Sequence, residues 1–105
     1  MEQFTVYENP NSDSKSSIPY LLNVQNDLLN NLNTRVVVPM CYSSSMNNKQ
    51  LEYVSPVFKI KGRNCIMLTP QLAGIPIANL GQPVVNLTEF RSDIIAALDF
   101  LIIGF

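Results

Sequence analysis

Residues 90–105 read FRSDIIAALDFLIIGF, and this stretch sets the architecture because no other segment carries a strong helical period. Phe90, Ile94, Ala97, Leu98 and Leu101 recur at spacings of three and four, which places them on one face of an α-helix. Thr88 stands at the expected N-cap, where its hydroxyl accepts from a first-turn amide, and Glu89 and Asp93 lie near the positive end of the helix dipole. Gly104 marks the stop, since glycine readily takes the left-handed conformation that ends helices. From Ile94 to Ile103 only Asp99 is polar, so the helix lacks the polar back of a surface helix. Three readings follow: a core helix and nothing more, a helix covered by its own sheet and by a second subunit, or a helix whose tip of Ile102, Ile103, Gly104 and Phe105 holds another protein.

Upstream of this helix the chain reads as a series of short strands. Gln3 to Tyr7 alternates as a half-buried strand, with Phe4 and Val6 on one face and Thr5 and Tyr7 on the other. Asn9 to Ser17 is almost wholly polar and contains Pro10, the composition of an exposed, mobile loop. A second strand is expected from Tyr20 to Gln25, followed by the apolar pair Leu28 and Leu29 and a turn at Asn30 to Thr34. Arg35 to Met40 is β-branched and is expected to end at Pro39, with a polar loop from Cys41 to Leu51. Val57 to Lys61 and Cys65 to Thr69 form the clearest hairpin, with Gly62 expected at the first central position of a two-residue turn. Lys59, Lys61 and Arg63 alternate along it, either as a basic patch or as a solvated strand face. Pro70, Pro76 and Pro83 with Gly74 and Gly81 then permit only short strands or turns. The expected fold is a small antiparallel β barrel or sheet covered on one side by a C-terminal helix, α+β in class, as a single domain over residues 1–105.

Composition limits the function. At 47% hydrophobic and 14% charged, the chain has an apolar surplus that points to oligomerisation. A net charge of −1 argues against binding nucleic acid through its phosphates, so the expected partners are proteins. No window approaches the ~18 apolar residues of a membrane span. The start MEQFTVYENP carries neither a basic region nor an apolar signal core, and a cytoplasmic location is the expectation. Cys41 and Cys65 stand apart without histidine, as free thiols rather than metal ligands or a disulfide.

Histidine is absent altogether, which removes the usual general base and the usual partner of serine and cysteine nucleophiles. The four glycines are scattered, so neither a phosphate loop nor a dinucleotide fingerprint exists, and no cofactor is expected. The nearest acid–base cluster is Asp27 with Thr34 and Arg35, read either as a proton-abstracting site or as a surface ion pair beside a turn.

QFTVY at residues 3–7, VQNDLLNNLNTRVVVP at 24–39, MLTPQLAGIPIANLG at 67–81 and the terminal helix ending in IGF together resemble the CcdB toxins of toxin–antitoxin modules. That resemblance covers nearly the whole chain and departs mainly in the polar loops. It implies an SH3-like barrel with a C-terminal helix, a symmetric homodimer, and poisoning of DNA gyrase by helix ends set against the gyrase A subunit, with release by a CcdA-like antitoxin. It places the gyrase contact at Ile103, Gly104 and Phe105, flanked by Ile102, Asp99, Leu28 and Leu29. Antitoxin contact is expected at the polar loop, at Glu8, Asn9, Asn11 and Asp13. The best-known pattern ends in Trp, Gly, Ile, whereas this chain has no tryptophan and carries Ile103 at the first of those places. An isoleucine cannot stack on a guanidinium, and Phe105 offers a ring from a different position. The alternatives are a MazF- or Kid-like endoribonuclease, since one fold serves both chemistries, and a folded homologue that has lost its gyrase activity.

Overall fold

The structure is a computed structural model that describes residues 2–45 and 55–104. Among the described residues seven antiparallel strands form one curled, barrel-like sheet: β1 (Thr5–Glu8), β2 (Tyr20–Asn23), β3 (Thr34–Tyr42), β4 (Val57–Ile60), β5 (Arg63–Met67), β6 (Ala73–Pro76) and β7 (Pro83–Asn86). Their order is β4-β5-β3-β2-β1-β7, with β6 also paired to β3. Among the described residues one α-helix, α1 (Arg91–Ile103), follows the strands.

The nine-residue β3 is the spine. It pairs along one edge with β2, and along the other first with β6 through Thr34–Val37 and then with β5 through Met40–Tyr42. It therefore runs through Pro39, where the sequence suggested an end. Pro39 accepts from the Leu68 amide, so its nitrogen faces that same edge, in the gap between the β6 and β5 pairings. A missing N–H costs no ladder bond there. The extension also places Cys41 in a strand instead of a loop. The loop expected from Cys41 to Leu51 begins as a 3-10 turn at Ser43–Ser45, and its remainder lies outside the described residues.

Alternation packs the core. Val6, Leu22, Val38, Met40, Phe58, Ile60, Cys65 and Met67 are buried in one cluster with Ile94 and Ala97 of α1. Burying a side chain of this size stabilises by about 1.5–3 kcal/mol. The opposite face of the sheet is not left to solvent, because Tyr7, Leu21, Val37, Cys41 and Ile66 are also buried. This is why Tyr7 does not alternate with Val6 in exposure.

The first strand starts two residues later than its sequence suggests. Phe4 has φ +70°, donates to the Asn23 carbonyl at 2.6 Å and accepts from the Leu87 amide at 2.8 Å. A phenylalanine in the left-handed region is strained, and burial of its ring with both backbone bonds holds it there. In the β4–β5 hairpin the two central residues are Lys61 and Gly62, with φ of 50° and 79°, the signs of a type I′ turn. Gly62 is thus the second central residue, not the first.

The helix start also differs in detail. A 3-10 turn at Thr88–Phe90 precedes α1, and the Thr88 hydroxyl donates to Asn86 Oδ1 instead of capping an amide. Neither the 3-10 turn nor α1 carries a side-chain cap; Asn86 closes a local turn by accepting from the Thr88 amide at 2.9 Å, while its Nδ2 donates to the Gln3 carbonyl and Thr5 Oγ1. A residue of β7 thereby fixes both the first strand and the entry to the helix.

Candidate functional site

The C-terminal end of α1 carries the features of a contact surface. Ile94 and Ala97 are buried and Leu98 and Leu101 half-buried, as the helical period requires, whereas Phe90, expected on the same face, ends the preceding 3-10 turn and is exposed. Beyond them Ile102 is 73% exposed, Ile103 60% and Phe100 38%, and Asp99 is exposed as well. Two consecutive isoleucines in solvent at a helix end form a contiguous apolar tip rather than a scatter of single residues. Gly104 stops the helix in the left-handed conformation, φ 79° and ψ 17°, and donates to the Phe100 carbonyl at 3.0 Å. This matches the expected C-terminal stop. Among the described residues, and its chain neighbours apart, nothing lies within 4 Å of where a Gly104 β-carbon would stand. Phe105 lies outside the described residues.

A second apolar projection stands at the Asp27–Leu29 3-10 turn. Leu28 is 87% exposed, and Leu29 and Leu32 are each close to half exposed. Asn26 caps the turn by accepting from the Leu28 amide at 2.8 Å. The elements on which α1 packs most are the turns at Thr69–Gln71 and Thr88–Phe90, and the Leu28–Leu29 turn is not one of them. Leu32 is the member of this patch that the sequence reading passed over, and its leucine spacing of three and four from Leu29 and Leu28 was the available signal.

The Asp27, Thr34 and Arg35 cluster does not form, either as a proton-transfer site or as a surface ion pair. Arg35 is 2% exposed and spends its guanidinium on backbone: Nη1 donates to the Leu32 and Thr34 carbonyls, each at 2.7 Å, and Nη2 to the Asn30 carbonyl at 2.8 Å. Asp27 Oδ1 instead accepts from the Gln3 amide at 2.7 Å. Gln25 completes the frame, donating to the Leu29 and Thr34 carbonyls and accepting from the Val36 amide. A buried arginine thus acts as a clamp on the loop that presents the leucines.

The polar loop after β1 is a chain of hydrogen-bonded turns. Asn9 Nδ2 donates to Ser14 Oγ and to the Ile18 carbonyl, Asn9 Oδ1 accepts from the Asn11 amide, and Asn11 Oδ1 accepts from the Asp13 amide. Asn9 and Asn11 are therefore builders of the loop, whereas Glu8 and Asp13 face solvent. Glu8 is tied to its surroundings from two sides, by Lys61 Nζ at 3.9 Å and by the Gly81 amide on its carbonyl at 2.9 Å.

Burial governs the titrating groups that shift. It pushes the Cys65 thiol up, which leaves an inert thiol instead of a nucleophile, and it raises Tyr7. Tyr20 is pushed up to about 12 by burial and by the Tyr42 hydroxyl. Cys41 and Cys65 are both free and buried. Among the described residues no helix is long and apolar enough to cross a membrane.

The family model described as CcdB protein matches residues 3–104 of the 105-residue chain.

Proposed function

From the membership of this chain in the CcdB protein family, a family of toxins of toxin–antitoxin modules, we propose that it acts on DNA gyrase through the exposed end of α1. Two copies pair symmetrically, bring their helix ends together against the gyrase A subunit dimer, and trap the enzyme after it has cut DNA. The observation that carries this reading is the apolar tip, with Ile102 and Ile103 in solvent beside an open, left-handed Gly104. Ile103 stands where the family's best-known members carry tryptophan, so the contact here is aliphatic burial, with Phe105 supplying the ring. Asp99 and the Leu28–Leu29 turn flank that contact.

Pairing is supported by the surface of the single chain. Phe90, Phe100, Val85 and Val57 are each more than a third exposed, in addition to the tip and the leucines. An isologous interface that covers part of this surface gives a helix with little polar back two covered sides. Sedimentation of the protein at micromolar concentration tests it: a dimer is expected, and a monomer contradicts it.

The loop from Glu8 to Ser17 is the proposed contact for a CcdA-like antitoxin, through Glu8, Asn9, Asn11 and Asp13. Its support is its exposure and the absence of ladder pairing beyond Glu8. Co-purification of the toxin with the product of a neighbouring antitoxin gene, lost on substitution in this loop, is the test. The chemistry is binding and not turnover: burial raises the Cys65 thiol and the Tyr7 and Tyr20 hydroxyls, and Nη1 and Nη2 of the buried Arg35 donate to backbone carbonyls.

A further inference from the structure

Each of the three exposed leucines in the β2–β3 connection stands on a backbone atom that a polar side chain holds. Asn26 Oδ1 accepts from the Leu28 amide at 2.8 Å, Gln25 Nε2 donates to the Leu29 carbonyl at 3.2 Å, and Arg35 Nη1 donates to the Leu32 carbonyl at 2.7 Å. Gln25 and Arg35 are both buried. Among the described residues Arg35 Nε has no hydrogen-bond partner, so the chain keeps a guanidinium there against a desolvation cost that an apolar residue would not meet. The outcome is a loop held in one conformation, with Leu28 almost wholly in solvent and Leu29 and Leu32 close to half exposed. Apolar side chains presented on a fixed backbone are pre-organised for a partner, because little ordering is left to be lost on binding.

The surroundings indicate the chemistry of that partner. Residues 26–34 read NDLLNNLNT, with Asp27 the single charge, and its Oδ1 is engaged by the Gln3 amide at 2.7 Å. Asn30, Asn31 and Asn33 are exposed among the leucines. An apolar centre with a rim of neutral amides suits a protein surface, whereas it offers no cation to a phosphate and no ring to a base. The Leu32 amide donates to the Leu29 carbonyl at 3.1 Å, so Leu32 is joined to the Leu28–Leu29 pair within one turn. We propose that Leu32 is a third anchor for the gyrase A subunit, and that Leu28, Leu29 and Leu32 enter an uncharged apolar groove on it as one rigid unit. This rests on the gyrase reading of α1 and of Leu28 and Leu29, and extends that contact to a residue outside both. Three aliphatic side chains add buried area to a contact whose helix tip carries Ile103 and no tryptophan.

Inhibition of DNA supercoiling by purified gyrase, and binding of the isolated A subunit to immobilised protein, test the proposal on the full chain and on Leu32→Ser and Leu32→Met. Leu32→Ser changes a half-exposed side chain, so its circular dichroism and its sedimentation should match those of the parent. The concentration for half inhibition should rise about tenfold, with A-subunit binding weakened in parallel. Leu32→Met keeps a flexible apolar chain of similar size and should stay within about twofold of the parent. An inhibitory full chain that Leu32→Ser equals overturns the anchor alone. A Leu32→Ser chain that unfolds, or that sediments as a monomer where the parent is a dimer, assigns Leu32 to the core or to the subunit interface and overturns it too. A full chain that neither inhibits gyrase nor binds its A subunit overturns the gyrase reading, and the anchor falls with it.

Discussion

Arg35 Nη2 donates to the carbonyl of Asn30 at 2.8 Å, so a guanidinium rooted in the central strand holds the far end of the loop that carries Leu28, Leu29 and Leu32. A side chain that would be read as surface charge is instead an internal clamp. Arg35→Ala removes the donors to three carbonyls and leaves a cavity, and a loss of about 2–4 kcal/mol is expected in denaturant unfolding. Arg35→Lys recovers only part of it, because an ammonium cannot span carbonyls that the planar fork reaches together. A loss under about 0.5 kcal/mol, the scale of an ordinary surface change, contradicts the clamp.

Gly81 and Gly104 should respond differently to a β-carbon. At Gly81 a β-carbon would stand 2.7 Å from the Glu8 carbonyl oxygen, a backbone atom that cannot swing aside. Gly81→Ala should therefore cost about 2–3 kcal/mol and loosen the junction of β7 with β1. At Gly104 the space is open and only the positive φ resists, so Gly104→Ala should cost about 1 kcal/mol. Thermal denaturation of both variants checks the order, which reverses if the Gly81 contact relaxes freely.

Tyr20 predicts an alkaline limit to stability. Its hydroxyl ionises near 10.0 in the unfolded chain and near about 12 when folded, raised by burial and then by Tyr42. A raised acid stabilises the folded state fully below pH 10 and loses that contribution as pH climbs toward 12. Stability should fall across that window, and Tyr20→Phe should flatten the fall. An ultraviolet titration in which every tyrosine ionises near pH 10 with the fold intact contradicts the assignment.

The loop from Asn9 to Ser17 should exchange its amides faster than Val36 to Val38, which lie in the central strand with neighbours on both edges. The bonds inside the loop are local turns, such as Lys15 to Asn11, and they open without disturbing the sheet. Protection there equal to that of Val36 to Val38 means that the loop is part of the core.

Much of this architecture was legible because it rests on periods and on glycine. The helix face around Ile94 and Ala97, the Gly104 stop and the β4–β5 hairpin all follow from spacing. What misled was context. Pro39 lies inside a strand because its nitrogen faces a gap between two partners, and no local pattern reveals which edge a residue faces. Phe4 adopts a glycine-like φ because tertiary bonds override its preference. At the site, the exposed tip followed from an apolar run too long for one buried face. Arg35 was illegible, since its partners are carbonyls, and every residue type carries one.

The central claim is that the end of α1 is a contact surface and not part of the core. Ile103 is 60% exposed, so deleting Ile103 to Phe105 should lower stability by no more than about 1–2 kcal/mol. The decisive measurement is inhibition of DNA supercoiling by purified gyrase, with trapped cleaved DNA as the second readout, for the full chain and the truncated one. The full chain is expected to inhibit and to trap, and the truncated chain, still folded by circular dichroism, to do neither. A truncated chain that inhibits as well as the full one, or that unfolds outright, contradicts the account.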